Sequence, residues 1–141
     1  METHNNNAAF VDIHYAQNGT SSATDELGMR EMQAKAYEHR GERFLLIKAP
    51  PASGKSRALM FIALDKLRNQ GIRKVVVAVP EKSIGRSFKN TNLMQYGFFA
   101  DWNVAPNYDL CSVGGDESDK AGRFCEFMKS TNNAKILVCA H

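Results

Sequence analysis

The sequence has few of the features that mark secreted, membrane-bound or metal-stapled proteins. Its three cysteines, Cys111, Cys125 and Cys139, are an odd number at wide spacings with no Cys-x-x-Cys pair, so buried thiols are expected, not disulfides or a zinc site. No apolar run approaches the roughly 20 residues that cross a bilayer. The N-terminus lacks the basic and apolar regions of a signal peptide. These absences predict a cytoplasmic protein without a membrane partner.

The remaining composition is that of an ordinary globular domain. The 141 residues are 43% hydrophobic and 23% charged, and the net charge of +3 permits nucleic-acid contact without arguing for it. Residues 1–25 are rich in Asn, Ser, Thr and Ala, which predicts a flexible N-terminal extension, and residues 26–141 are expected to form the domain. A short strand within the extension stays open as an alternative, at Phe10, Val11, Ile13 and Tyr15.

Residues 49–56, with the sequence APPASGKS, fit a phosphate-binding loop (P-loop, or Walker A motif) between an apolar strand and a helix. The strand is predicted over residues 44–47, and the helix is predicted to open at Gly54. The strict pattern has Gly at the position of Ala49, a departure that relaxed forms of the loop accept when the turn needs no positive φ. The buried face of the helix is predicted at Leu59, Ile62, Ala63 and Leu67.

The loop residues are of the types that hold a triphosphate. A helix start offers unpaired backbone N–H groups with the positive end of the helix dipole behind them. We expect Lys55, solvated without ligand, to contact the β- and γ-phosphates as the catalytic cation, and the Ser56 hydroxyl to coordinate Mg²⁺. The predicted nucleotide-binding residues of the loop are Ala52, Ser53, Gly54, Lys55 and Ser56.

Helices and apolar strands alternate around this loop. Helices are predicted over residues 26–39, 83–90 and 119–129, and Val-rich or Ile-rich strands over residues 74–79 and 135–139. Strands that are apolar on both faces are typical of a parallel sheet covered by helices on each side. The aromatic residues of segment 91–107 are expected to pack in the domain. The predicted fold class is therefore α/β, a parallel sheet flanked by helices.

Two groups of polar residues add candidate contacts. The amide of Gln33 suits the edge of adenine, and Arg30, one turn earlier, can stack on the base or anchor the turn. Lys82, Ser83 and Arg86 follow the strand that ends at Pro80, where open α/β sheets place ligands, and their donors suit the phosphates of a nucleic-acid backbone.

One element needed for hydrolysis is absent from the sequence. A nucleotide hydrolase requires a second acidic residue at the end of a neighbouring strand to hold Mg²⁺ and orient water. The only apolar run that ends in an acid, residues 61–65, lies on the helix after the loop, so Asp65 is expected on the surface.

Four segments together resemble the superfamily 2 helicases and translocases of the DEAD/DEAH type, and within them the helicase-like subunits of restriction enzymes. The segment MREMQ at residues 29–33 is similar to the adenine-reading Gln motif, and the loop is similar to the first motif. The segment VAVPEKSI at residues 77–84 resembles the next motif, and ILVCAH at residues 136–141 resembles a later contact segment that usually has Thr where this chain has Ala140.

The resemblance implies a P-loop RecA-like fold over residues 29–141, an incomplete first lobe that ends before the acidic Walker B motif. It implies ATP and Mg²⁺ as cofactors, weak and sequence-independent contact with a DNA or RNA backbone, and a second RecA-like lobe in the full-length parent. The parent would be an ATP-dependent translocase. The isolated chain is expected to bind nucleotide without efficient hydrolysis.

Two other functions remain open at this stage. The sequence ASGKS at residues 52–56 also resembles the loop of tRNA prenyltransferases, which allows a small P-loop kinase or transferase. A non-catalytic fragment that only binds nucleotide is compatible with either parent.

Overall fold

The computed structural model describes residues 8–12, 23–112, 116–131 and 133–140. Its architecture is mixed α/β, as predicted. The strands are β1 (Ala9–Asp12), β2 (Leu45–Lys48), β3 (Val75–Val79) and β4 (Ile136–Ala140). The α-helices are α1 (Glu31–Glu38), α2 (Lys55–Asn69), α3 (Lys82–Gly85) and α4 (Glu117–Lys129), and short 3₁₀ turns span Arg86–Phe88, Met94–Tyr96 and Pro106–Tyr108.

The described strands form two separate parallel pairs and not the single sheet expected from the sequence. β1 pairs with β2 from Ala9↔Leu45 onward, and β3 pairs with β4 from Val75↔Ile136 onward. Hydrophobic periodicity identifies strands but does not say which of them are hydrogen-bonded neighbours. The prediction of one continuous sheet is therefore corrected to two small parallel sheets.

Helix α2 connects the two sheets. Ala58 and Ile62 pack in a cluster with Val11 of β1, while Met60 and Phe61 pack in the cluster that contains residues of β3 and β4. Because α2 contacts two sheets, its buried arc is wider than one stripe. The predicted buried face is wrong in part: Ile62 is buried, but Leu59 is 44% exposed.

The opposite faces of both sheets are open to solvent. Phe10 is 54% exposed, Leu46 58% and Val76 40%, although all three are apolar strand residues. The expectation of helices on both faces of the sheet is therefore wrong for the described residues. Apolar strands indicated burial on two sides, whereas helix α2 and its neighbours cover one side only.

The aromatic segment after the 3₁₀ turn Arg86–Phe88 packs into the core, as predicted. Trp102 and Phe98 are 0% and 3% exposed, and Phe98 meets Phe61 of α2 edge-on at 4.7 Å between ring centroids. The indole N–H of Trp102 donates to the carbonyl of Phe88 at 2.9 Å. Tyr96 differs from this pattern, since it is 53% exposed.

Several predicted boundaries move. The first helix begins at Glu31 and not near residue 26, because the Asp25 carboxylate accepts from the backbone of Leu27 and Met29 and holds a turn there. Within residues 1–25, the segment Ala9–Asp12 is a strand paired with β2, so the expected flexible extension is wrong for those four residues. The predictions at Ile13, Tyr15 and His141 lie outside the described residues.

The cysteines are less buried than expected. Cys111 and Cys139 are partly buried, Cys125 is exposed, and all three are free thiols. Burial raises the pKa of the Cys111 and Cys139 thiols, which keeps them protonated near neutral pH. No helix in the described part of the chain is long and apolar enough to cross a membrane.

Asp65 is buried, which corrects its predicted place on the surface. It is 5% exposed, and its carboxylate accepts from Tyr37 at 3.1 Å, Asn69 at 2.8 Å and Gln70 at 2.8 Å. The Arg40 guanidinium lies 3.4 Å from it. Burial acts to raise the pKa of Asp65, but these polar neighbours outweigh it and hold that pKa below its usual value. The helical pattern missed this residue because α1 covers the polar side of α2.

Asp65→Asn should lower the free energy of unfolding near neutral pH by about 1–3 kcal/mol, because an amide N–H₂ would then face the donors. The depressed pKa means that the carboxylate stabilises the fold fully above its unfolded pKa of about 3.9, and that this contribution is lost as the pH falls through the folded pKa. Urea unfolding at about pH 7 and about pH 3 measures both effects. Asp119→Asn, an exposed carboxylate on α4, is the control, and equal stability of Asp65→Asn and wild type at neutral pH would contradict the prediction.

Candidate phosphate-binding site

A cavity of about 500 Å³ lies where the phosphate loop, the start of α1 and the turn after α3 meet. Every nucleotide-binding residue predicted from the sequence lines it: Arg30, Gln33, Ala52, Ser53, Gly54, Lys55 and Ser56. The structure thus brings together residues that are separated by up to 26 positions in the chain. Lining residues without a predicted nucleotide role are Arg57, Met60, Arg86, Ser87, Lys89 and Thr91.

The loop has the backbone geometry of a turn into a helix. Gly54 is the N-cap of α2 with φ +89°, and Ala52 also has a positive φ, of 60°. Ala49 is not among the residues with positive φ, which agrees with the expectation that Ala is tolerated there. Since the first turn of a helix has no intrahelical acceptors for its N–H groups, the start of α2 presents donors to the cavity.

Ser53 is the most informative side chain of the loop. It is 4% exposed and lines the cavity, yet its hydroxyl has no hydrogen-bond partner among the described residues. A buried polar group without a partner costs about 1–3 kcal/mol, so such groups usually acquire one. The Ser53 hydroxyl is therefore available to a ligand in the cavity.

Lys55 is held within the loop, which corrects the expectation that its side chain is solvated without ligand. Its ammonium donates to the carbonyl oxygens of Ala49 at 2.7 Å and Pro50 at 2.8 Å. Pro50 and Pro51 have no backbone N–H, so at this part of the loop the Lys55 ammonium supplies the donors for the two carbonyls. A phosphate would replace neutral acceptors by charged ones, which bind an ammonium more strongly.

Gln33 ties α1 to the loop. It is 2% exposed, its carbonyl accepts from the backbone of Arg30 at 2.9 Å, and its amide donates to the carbonyl of Gly54 at 3.2 Å. An amide side chain has two N–H donors and two lone pairs, so one of each remains for a ligand. Gln33 therefore positions the loop, and it keeps limited capacity to read a base.

The charge of the cavity is of one sign. No acidic side chain of the described residues lines it. Five cationic side chains do, namely Arg30, Lys55, Arg57, Arg86 and Lys89. Wall residues of one sign raise the local concentration of an oppositely charged ligand. This cavity is therefore suited to a polyanion.

The three residues predicted to contact nucleic acid are not brought together. Lys82 lines a second cavity, of about 300 Å³, with Lys120 and Phe124, whereas Arg86 lines the cavity of the phosphate loop. Ser83 is exposed, and its hydroxyl donates to the Glu81 carboxylate at 3.3 Å. The structure has an α-helix over Lys82–Gly85 and a 3₁₀ turn over Arg86–Phe88, in place of the single helix predicted over residues 83–90.

The donor set for a metal ion is small. The described residues contain no group of three or more His, Cys, Asp or Glu that could hold a metal. Mg²⁺ does not need such a group, because it commonly binds one or two protein oxygens together with substrate phosphates and water. The Ser56 hydroxyl, on the first turn of α2 and in the cavity wall, fits that use.

Comparison with known proteins gives one informative similarity. The chain is 60% identical over 131 residues to a Bacillus subtilis (strain 168) protein described as "Putative ATP-dependent helicase YeeB". The match covers 93% of this chain and 21% of that protein, so the chain spans about a fifth of the length of the relative it matches. No family model and no solved structure matches the chain. The similarity is thus to one part of a longer protein.

Gly54→Ala should destabilise the loop for two reasons. A methyl group would strain the left-handed φ of +89°, and its carbon would lie 2.5 Å from the Gln33 amide nitrogen. The left-handed conformation alone costs about 1–2 kcal/mol in a residue with a side chain. Denaturant unfolding of Gly54→Ala, Gln33→Ala and the double variant separates the two effects, because the double variant should lose less stability than the sum of the singles. Strict additivity would show that the Gln33 contact does not restrict this position.

Proposed function

We propose that this chain is the ATP-binding part of an ATP-dependent nucleic-acid helicase or translocase, with the RecA-like fold that the sequence motifs imply. One observation carries the proposal: the unpartnered, buried Ser53 hydroxyl and five cations share a cavity with the phosphate loop. Its volume of about 500 Å³ falls within the range of small-molecule sites, about 300–1,000 Å³. The similarity to the protein described as "Putative ATP-dependent helicase YeeB" supports the same assignment.

The triphosphate would lie against the start of α2. Backbone N–H groups of Ala52 and of residues 54–56, together with the Ser53 hydroxyl, would donate to its oxygens, and Lys55 would exchange the carbonyls of Ala49 and Pro50 for the β- and γ-phosphates. The Ser56 hydroxyl would hold Mg²⁺, which neutralises the charge on those phosphates. Gln33 and Arg30 would lie at the adenine end and favour ATP over GTP.

Binding is proposed to occur in this chain without efficient hydrolysis. Among the described residues that line the cavity none is acidic, so no carboxylate there would hold Mg²⁺ on its second side or orient water. A second RecA-like lobe of the complete protein would supply an arginine, whose contribution in related reactions is about 10³–10⁵ in rate. ATP binding would close the two lobes and hydrolysis would reopen them, which would couple the reaction to movement along nucleic acid.

Nucleic acid is proposed to bind at the other cavity, where Lys82 follows strand β3. Lys82 and Lys120 lie with Phe124, which is 37% exposed, at the end of β4 that carries Ala140. Such a surface suits backbone phosphates and has few groups that could read bases. The finer assignment, to a helicase subunit of the restriction-enzyme type, rests on the sequence resemblance alone.

A small P-loop transferase or kinase is the alternative. Its phosphate loop would look the same. The hydrogen bond from Gln33 to Gly54 favours the helicase hypothesis, because it joins the helix proposed to contact adenine to the loop proposed to bind phosphate. A fragment that binds nucleotide without turnover remains compatible with either parent.

Lys55→Ala should weaken binding of Mg-ATP to the 141-residue chain by about 10- to 100-fold, because a hydrogen bond to a charged group contributes about 1.5–3 kcal/mol. Isothermal titration with ATP, and with GTP for comparison, measures the loss. Lys48→Ala, an exposed lysine at the end of β2, is the matched control and should bind like wild type. Equal ATP affinity of wild type and Lys55→Ala would refute the phosphate-loop assignment.

Lys82→Glu should weaken binding of a single-stranded oligonucleotide and leave ATP affinity unchanged, since Lys82 lies outside the cavity of the phosphate loop. Binding should also be insensitive to base sequence and should fall steeply with salt, as contacts to backbone phosphates do. Fluorescence anisotropy with two oligonucleotides of unrelated sequence tests this, with Lys129→Glu at the far end of α4 as the charge-matched control. Unchanged oligonucleotide affinity in Lys82→Glu would remove this residue from the interface.

A further inference from the structure

The segment after α3 forms part of the wall of the cavity that the phosphate loop also lines. Arg86, Ser87, Lys89 and Thr91 all line the cavity, although they lie 30 or more residues beyond Lys55 in the sequence. Arg86 opens a 3₁₀ turn and Lys89 is its C-cap. Because residues three apart in a 3₁₀ turn are eclipsed, these two cations project from the same side of the segment.

The backbone of this wall is fixed to the core. Phe88, between the two cations, is 5% exposed and lies in the same cluster as Met60, which is itself part of the cavity wall. Its carbonyl accepts the Trp102 indole N–H at 2.9 Å, and Thr91 exchanges two backbone hydrogen bonds with Trp102, of 2.9 and 3.0 Å.

The start of the wall is fixed as well. Gly85 is buried, and a methyl group there would lie 2.5 Å from the Cys111 sulfur. The backbone therefore passes so close to Cys111 that only glycine fits without a shift of its neighbours. Arg86 and Lys89 are thus exposed side chains on a held backbone. Only their side-chain rotamers have to change when a ligand arrives, which lowers the entropic cost of binding.

We propose that Arg86 and Lys89 bind the polyphosphate of the nucleotide, so that the turn after α3 is a second phosphate-binding element facing the loop. This inference rests on the proposed nucleotide site and deepens it. The loop donates from one side through N–H groups, Ser53 and Lys55. A nucleoside triphosphate also has phosphate oxygens that the loop does not contact, and Arg86 and Lys89 are the cations that the segment after α3 adds to the cavity wall.

The location of Arg86 favours a nucleotide over a nucleic-acid backbone as its ligand. Arg86 shares its cavity with Lys55 and Ser53, whereas Lys82, four residues earlier, lines a different cavity. The two basic residues therefore serve different ligands in this assignment, in contrast to the single nucleic-acid contact expected from the sequence.

The test compares Arg86→Gln, Lys89→Gln and the double variant with wild type for ATP, ADP and AMP, by titration of the 141-residue chain in the presence of Mg²⁺. We expect a loss of about tenfold or more in ATP affinity for the double variant and a smaller loss for AMP, because the lost contacts are to the outer phosphates. Arg73→Gln, an exposed arginine before β3 that lines neither cavity, removes a positive charge elsewhere and should leave the ATP affinity unchanged. Arg86→Lys should restore part of the affinity.

The possible failures are distinguishable. If wild type binds ATP, Lys55→Ala binds weakly and the double variant binds like wild type, this inference is wrong and the proposed nucleotide site stands. If the double variant instead loses affinity for a single-stranded oligonucleotide while keeping its ATP affinity, Arg86 and Lys89 belong to the nucleic-acid surface and the inference is overturned. If wild type binds no nucleotide, both proposals fall.

Discussion

Burial of helix α2 between two sheets is the constraint on which the rest of the structure depends. Among the described strands, no hydrogen bonds join the β1–β2 pair to the β3–β4 pair. Their relation is set through one helix, whose Ala58 and Ile62 pack toward β1 and whose Met60 and Phe61 pack in the cluster of β3 and β4. Since residues 49–54 lead directly into the N-terminus of that helix, the packing that joins the sheets also sets the direction of the candidate phosphate loop.

The two ends of α2 are fixed by different chemistry. At its C-terminal end, Asp65 accepts from Tyr37 of α1 and from Gln70, which holds α1 against α2. At its N-terminal end, Gln33 of α1 donates to the carbonyl of Gly54. A buried carboxylate with several partners is costly to leave half satisfied, so it specifies one arrangement of the two helices. That arrangement places Gln33 at the loop.

The turn into α2, the strands β2, β3 and β4, and α2 itself were predictable from the sequence, because each depends on a local pattern: apolar periodicity for α2 and β3, and the Gly-Lys-Ser turn for the start of α2. Asp65 was not predictable in the same way, since its burial depends on Tyr37 of α1 and on Arg40 in the turn after that helix. The separation of Lys82 from Arg86 was also missed. It depends on Phe88 entering the core, a contact between distant segments that local spacing does not encode.

The same long-range packing explains why the cavity has more cations than the motif supplies. A phosphate loop by itself contributes one lysine and its backbone donors, which act from one side of a ligand. Phe88 and Trp102 fix a second segment of the cavity wall, and that segment carries Arg86 and Lys89. The core contact of an apolar residue thus sets the position of two charged ones. In a site without acidic side chains among the described lining residues, such charges favour binding of a polyanion, whereas turnover requires groups of the opposite sign. The cavity therefore offers groups that suit binding of a polyanion, and its described lining lacks the acidic groups that hydrolysis requires.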